Sequence, residues 1–290
     1  MSSKLRGIDP KRAEPSKPKM LIYGMSGVGK TWAAIDWPSA YYIDTEGGAD
    51  LAHYTDKLKK AGAGYFGPAD GSCDFRTVLE EVEALATEDH KYRTLIIDSF
   101  SKLFNQQIAE TQIEMERRKI EDAFGASKKP AIQLTRRLLS WFSKLDMNVI
   151  LICHQKSQWK DGKEVGVTFD GWDKLEYELH LALRIQKLGP ERKAFIGKSR
   201  LAQFPEGESF PWSYADFAKK YGQAVIEGAV KKADLATREQ IKEYSDLLKK
   251  VQPSDDVLSK WESACPDIAA LDREAMAKRI EWLQRQSAPK

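Results

Sequence analysis

The stretch Lys19-Met20-Leu21-Ile22-Tyr23-Gly24-Met25-Ser26-Gly27-Val28-Gly29-Lys30-Thr31 decides the fold. Its apolar run reads as a buried strand, and the eight residues from Gly24 fit G-x-x-x-x-G-K-[ST] without a gap, directly before a helical pattern. The glycines let the backbone curl so that its N–H groups face phosphate oxygens, and a helix opening there adds a favourable dipole. Gly24, Ser26, Gly27, Val28, Gly29, Lys30 and Thr31 are therefore the expected phosphate-binding residues. Lys30 is expected to reach the β- and γ-phosphates of a nucleotide, ATP above all, and Thr31 to place its hydroxyl on Mg2+.

Outward from this loop, further short apolar runs recur at Tyr41-Tyr42-Ile43, Leu95-Ile96-Ile97, Val149-Ile150-Leu151-Ile152, Leu181-Ala182-Leu183 and Ala194-Phe195-Ile196. Helical periodicity separates several of them: Val78, Leu79, Val82 and Leu85 share a face, as do Leu134, Leu138, Trp141, Phe142 and Leu145. Strands that are apolar throughout, with helices between them, imply an α/β fold whose mostly parallel sheet is buried on both faces. After Pro211-Trp212 the strand signal stops, and residues 238–248, 256–262 and 273–286 read as short amphipathic helices. Three segments are expected: a flexible, polar lead-in at 1–17, a phosphate-loop core at 18–212, and a helical C-terminal region at 213–290.

Composition narrows the class. The chain has 290 residues, 42% hydrophobic and 31% charged, and no apolar run approaches the roughly 20 residues that cross a bilayer. Its first residues lack the apolar core of a signal peptide, and three scattered cysteines, Cys73, Cys153 and Cys265, suit reduced thiols rather than disulfides or a zinc site. A cytoplasmic location without a membrane partner is expected. The net charge of +3 leaves any nucleic-acid surface to be local.

Arg93-Thr94-Leu95-Ile96-Ile97-Asp98-Ser99 supplies a second element, an apolar strand ending in a carboxylate that can hold the magnesium through water. AAA+ proteins typically place a catalytic glutamate directly after that aspartate, whereas this chain has Ser99. The base is therefore sought elsewhere, and Glu46 in Ile43-Asp44-Thr45-Glu46-Gly47-Gly48 is the candidate to orient the attacking water.

With these segments the chain resembles the RecA-like P-loop ATPases, and in particular small bacteriophage RecA-core ATPases associated with single-strand annealing and recombination. The resemblance rests on the phosphate loop, Ile43 to Gly48, His154-Gln155-Lys156 and Gly197-Lys198-Ser199-Arg200, and spans about residues 18–212. It implies that Gln155, or His154 beside it, senses the γ-phosphate. It also implies that Lys198 and Arg200 reach the ATP of a neighbouring subunit, so a homo-oligomer, filament or ring, is expected.

The resemblance further places two DNA-facing segments. From Arg117 to Arg137 seven basic residues, among them Arg117, Arg118, Lys128 and Lys129, face only Glu121 and Asp122, with Gly125 and Pro130 marking a loop. Such a cluster neutralises phosphates; on composition alone a solvated helical face reads equally well. The segment 156–173 offers Lys156, Trp159, Lys160 and Phe169 on what reads as a glycine-containing mobile loop, although Asp161, Glu164, Asp170 and Asp173 nearly cancel its lysines and Trp159 and Phe169 fit packing against the body equally well. The reading is an ATP- and Mg2+-dependent ATPase that binds single-stranded DNA in recombination or annealing, with a single-strand DNA-binding protein as a further partner. The alternatives are a replication helicase or helicase loader, a nucleotide kinase, and a regulatory ATPase that acts on proteins alone.

Overall fold

A computed structural model describes residues 16–287, so the lead-in expected at 1–17 falls almost wholly outside the described residues. The chain runs through β1 (Lys19–Gly24), α1 (Lys30–Ala34), β2 (Ala40–Asp44), α2 (Ala52–Lys60), β3 (Gly64–Phe66), α3 (Phe75–Thr87) and β4 (Thr94–Asp98). It continues with α4 (Phe100–Arg117), α5 (Lys128–Lys144), β5 (Asn148–Lys160), β6 (Lys163–Phe169), α6 (Leu175–Glu178), β7 (Leu181–Leu188), β8 (Glu191–Ser199) and β9 (Ser209–Pro211). Helices complete it: α7 (Tyr214–Tyr221), α8 (Gln223–Ile226), α9 (Arg238–Val251), α10 (Asp255–Ala264) and α11 (Arg273–Ser287).

The sheet order is β3-β2-β4-β5-β1-β7-β8-β9. The six strands from β3 to β7 pair in parallel, and β8 and β9 add an antiparallel edge. The expected α/β architecture, a mostly parallel central sheet flanked by helices, is thus the observed one. Alternation along the strands divides the interior in two. Leu21, Ile97, Val149 and Leu151 face α3, α4 and α5, whereas Met20, Ile22, Ile96 and Ile150 face the side of α1, Trp37 and Phe217. Burial on both faces explains why these strands are apolar without a break.

The C-terminal helices share this interior. Tyr244, Met276, Ile280 and Leu283 join the cluster of α3 and α5, and Asp267 accepts hydrogen bonds from Arg137 (2.9 Å) and the Trp141 indole (3.0 Å) on α5. Phe217 of α7 instead packs on Trp37 and Phe204 of the other face. For the active site, the decisive point is that the parallel strands β1, β2, β4 and β5 end at one edge of the sheet, where open α/β sheets hold their ligands.

Candidate active site

The phosphate loop is built as its glycines demand. Gly27 and Gly29 take φ of 75° and 89°, left-handed values that a side chain would strain, and Gly29 leads into α1. Lys30 is buried and folds back so that Nζ donates to the carbonyls of Gly24 and Met25, each at 2.9 Å. Burial lowers its pKa, while the nearby carboxylates of Asp98 and Glu46 act the other way.

Asp98 ends β4 across the intervening β5. One of its carboxylate oxygens accepts from Thr31 Oγ1 at 2.5 Å and from the Tyr42 hydroxyl at 2.8 Å. Burial raises its pKa, and these two donors oppose the rise. A hydroxyl and a carboxylate side by side form an all-oxygen donor pair that suits a hard cation such as Mg2+. The peptide joining Asp98 to Ser99 is cis.

The segment after β2 is stitched to this strand end. Asp44 does not face the cleft as a free acid: it accepts from the backbone N–H groups of Glu46, Gly47 and Ala49 at 2.8–2.9 Å and so shapes the turn that presents Glu46. Thr45 Oγ1 donates to the Ser99 carbonyl at 3.0 Å and accepts from the Ser99 N–H at 2.9 Å. Glu46 Oε1 then receives the Ser99 hydroxyl and lies 2.7 Å from His154 Nε2. The Glu46 carboxylate, just past β2, therefore stands beside Ser99, the residue that takes the place of the glutamate typical of AAA+ proteins.

His154 and Gln155 both line the cleft, because β5 lies between β1 and β4 and carries their side chains to its mouth. The residue in direct contact with Glu46 is His154; Gln155 sits one position further out, at the start of the β5–β6 pairing. The cleft encloses roughly 770 Å³ and is also bounded by Trp32, Leu51, Tyr54 and Arg192. Arg192 was not singled out in the sequence, where it is one arginine among many; only the pairing of β7 with β8 brings it to the loop.

Lys198 and Arg200 lie elsewhere. β8 runs antiparallel to β7, so its last residues reach the edge of the sheet opposite the phosphate loop of their own chain. Lys198 donates to the Leu179 carbonyl and Arg200 to that of Tyr177. Partial burial, then the neighbouring Arg200 charge, lower the Lys198 pKa.

The expected DNA segments change shape in two places. Residues 156–169 are not a loop but the hairpin β5–β6, because Asp161 and Gly162, with φ of 52° and 74°, close the two-residue turn such a dipeptide favours. Trp159 near its tip is 64% exposed, whereas Phe169 is 3% exposed and packs edge-on against Tyr23, so it is no stacking platform. Lys156 lies 3.6 Å from Asp170 and 3.8 Å from Asp173, and Lys160 stands across the turn from Lys163.

In the other segment Arg117 ends α4, Arg118 pairs with Glu114 at 2.5 Å, and Lys128 and Lys129 open α5, all four exposed. Arg136 and Arg137 leave the patch: one lies over the Trp172 ring, the other is tied to Asp267. Between the remaining cations Phe124 is fully exposed with φ of 55°. Sequence reading passed over it because a lone phenylalanine normally signals core; its neighbour Gly125 marks a turn that leaves it outside.

Among the described residues no helix is long and apolar enough to cross a membrane. A comparison with curated proteins returned no match. Among solved structures, the RadB recombinase crystal structure overlaps with a TM-score of 0.40 at 18% identity, covering 68% of this chain and 86% of that one. A family model described as an AAA domain matches residues 16–210, more than half of the chain. With its phosphate loop, Asp98 and Glu46 gathered on one sheet edge inside that span, the chain belongs to the AAA-domain family of ATPases.

Proposed function

We propose that this protein hydrolyses ATP at a site completed by a neighbouring copy, and that it uses the cycle to bind and release single-stranded DNA in recombination or annealing. The observation that carries the hydrolytic part is the convergence of Lys30, Thr31, Asp98 and Glu46 around one cleft. Lys30 exchanges the carbonyls of Gly24 and Met25 for phosphate oxygens when nucleotide enters. Thr31 and Asp98 would hold Mg2+, which would supply neutralising charge to the phosphates. Glu46, held by Ser99 and His154, orients a water toward the γ-phosphate and accepts its proton. His154 and Gln155 meet the same phosphate and lie at the root of the hairpin that carries Trp159, which links the nucleotide to the DNA-facing side.

The DNA reading draws on two exposed aromatics, Phe124 and Trp159, each beside cations. Aromatic faces with nearby lysine and arginine suit unpaired bases. The motif resemblance supplies the recombination context, a bacteriophage source with a bacterial cytoplasm as its setting, and the oligomer.

Glu46→Gln tests the centre of this reading. The change preserves shape and removes the base, so ATP should still bind while turnover falls by about 10²–10⁴-fold, and the protein should stay longer on DNA. Measured single-turnover hydrolysis at the wild-type rate would place the base at another residue.

A further inference from the structure

Asp98 and Glu46 approach the phosphate loop from the β5 side of β1, and the opposite side is closed by the β7–β8 hairpin. There Arg192 Nε donates to the Val28 carbonyl at 3.1 Å. Its side chain lies so close on Gly29 that a Cβ at that position would stand 2.4 Å from Nε and 2.9 Å from Cδ. A Cβ there would push the exposed Arg192 side chain off the loop, while the 89° φ is what calls for the glycine itself.

The Val28 carbonyl is the only hydrogen-bonding partner of the Arg192 side chain among the described residues, and no carboxylate there pairs with it. An exposed guanidinium at the lip of a phosphate cleft, with its terminal amines unengaged, has the donor geometry that matches phosphate oxygens. Its location on the loop narrows which ones. Backbone N–H groups of such a loop cradle the α- and β-phosphates, whereas the lysine reaches the β- and γ-phosphates. Arg192 stands at Val28 and Gly29, before Lys30, and on the far side of β1 from Asp98 and Glu46.

We propose that Arg192 is a further nucleotide-binding residue, supplied by the same chain as the loop, whose guanidinium contacts the α/β-phosphate portion of a nucleoside di- or triphosphate. This rests on reading the loop as a nucleotide site. It differs from the role proposed for Lys198 and Arg200, because Arg192 contributes to ADP and ATP binding alike and needs no neighbour.

The test is equilibrium binding of ADP and of ATP, with Mg2+ held constant, to wild type, Arg192→Ala, Arg192→Lys and Lys30→Ala. Arg192→Ala should weaken both nucleotides by about tenfold or more, as for loss of a charge-assisted hydrogen bond. Arg192→Lys should restore part of the loss, because it returns the charge without the fork. The deficit should shrink as potassium chloride rises, which a residue that merely props the loop would not show. Affinities within twofold of wild type for both nucleotides, a loss confined to ATP, or a deficit indifferent to salt would each overturn the assignment. Lys30→Ala separates the two levels: if it loses ADP while Arg192→Ala does not, only Arg192 is misassigned. If Lys30→Ala also binds ADP normally, the nucleotide reading itself falls. The exposed position of Arg192 leaves the melting temperature of the nucleotide-free Arg192→Ala protein at the wild-type value, and that measurement shows that any lost affinity is not lost fold.

Discussion

The two ends of β8 carry cations in opposite relations to the phosphate loop. At its start Arg192 touches the loop of its own chain; about 20–27 Å further along, at 3.3–3.4 Å per residue, Lys198 and Arg200 occupy the other edge of the sheet. On the proposals made above, a single strand separates what a subunit does for its own nucleotide from what it does for a neighbour's. The same chemical group, a cation on a strand end, takes its proposed role from the direction of the strand, not from the residue type. Proximity makes Arg192 a matter of binding. Distance leaves Lys198 and Arg200 only the proposed role at a neighbour's site.

The sharpest way to break this comparison is a mixing experiment. Lys30→Ala and the double variant Lys198→Ala/Arg200→Ala should each lose ATP turnover by about a thousandfold or more when alone, as when a transition-state cation is removed. They should differ in binding: only Lys30→Ala loses the nucleotide. Mixed oligomers should regain part of the ATPase, since some interfaces then join an intact loop to intact cations. Co-assembly without recovery would count against a shared site, and a fully active double variant would remove the far end of β8 from the reaction.

A smaller effect separates the DNA surfaces. Replacing Trp159 or Phe124 with Ala should weaken single-strand binding by about 1–3 kcal/mol for each base that stacks, measured by fluorescence anisotropy at fixed salt. If neither matters, bases do not meet either tip. The smallest effect is electrostatic: removing Arg117 and Arg118 should lower the slope of log affinity against log salt by about 1.4, at about 0.7 per phosphate for single strands. An unchanged slope would leave these arginines as solvated ends of α4.

How much of this was legible in sequence follows from how local each feature is. The phosphate loop, the strand ending in Asp98 and the turn carrying Glu46 are encoded in consecutive residues whose spacing dictates their geometry. Features made by long-range pairing were not readable. Arg192 needs the register of β7 with β8, and the contact of Glu46 with Ser99 and His154 needs three strand ends side by side. Composition is silent where packing decides: Phe169, a candidate stacking platform, is buried against Tyr23, and Arg137, counted in the basic cluster, is tied to Asp267. The Asp161-Gly162 dipeptide was a legible hairpin signal that the glycine count around it obscured.

β5 runs as one strand from the sheet interior to the hairpin tip, with a shift of register against β6 between Gln158 and Trp159. Residues 148–152 pair with β4 and 149–154 with β1, and from Gln155 onward the strand projects with β6 beside it. Mechanically this is a cantilever with His154 at its root. From His154 to Trp159 the arm is about 17 Å long, so a tilt of about ten degrees at the root displaces the indole by about 3 Å. The arm thereby converts a small rotation at His154 into a larger displacement at Trp159.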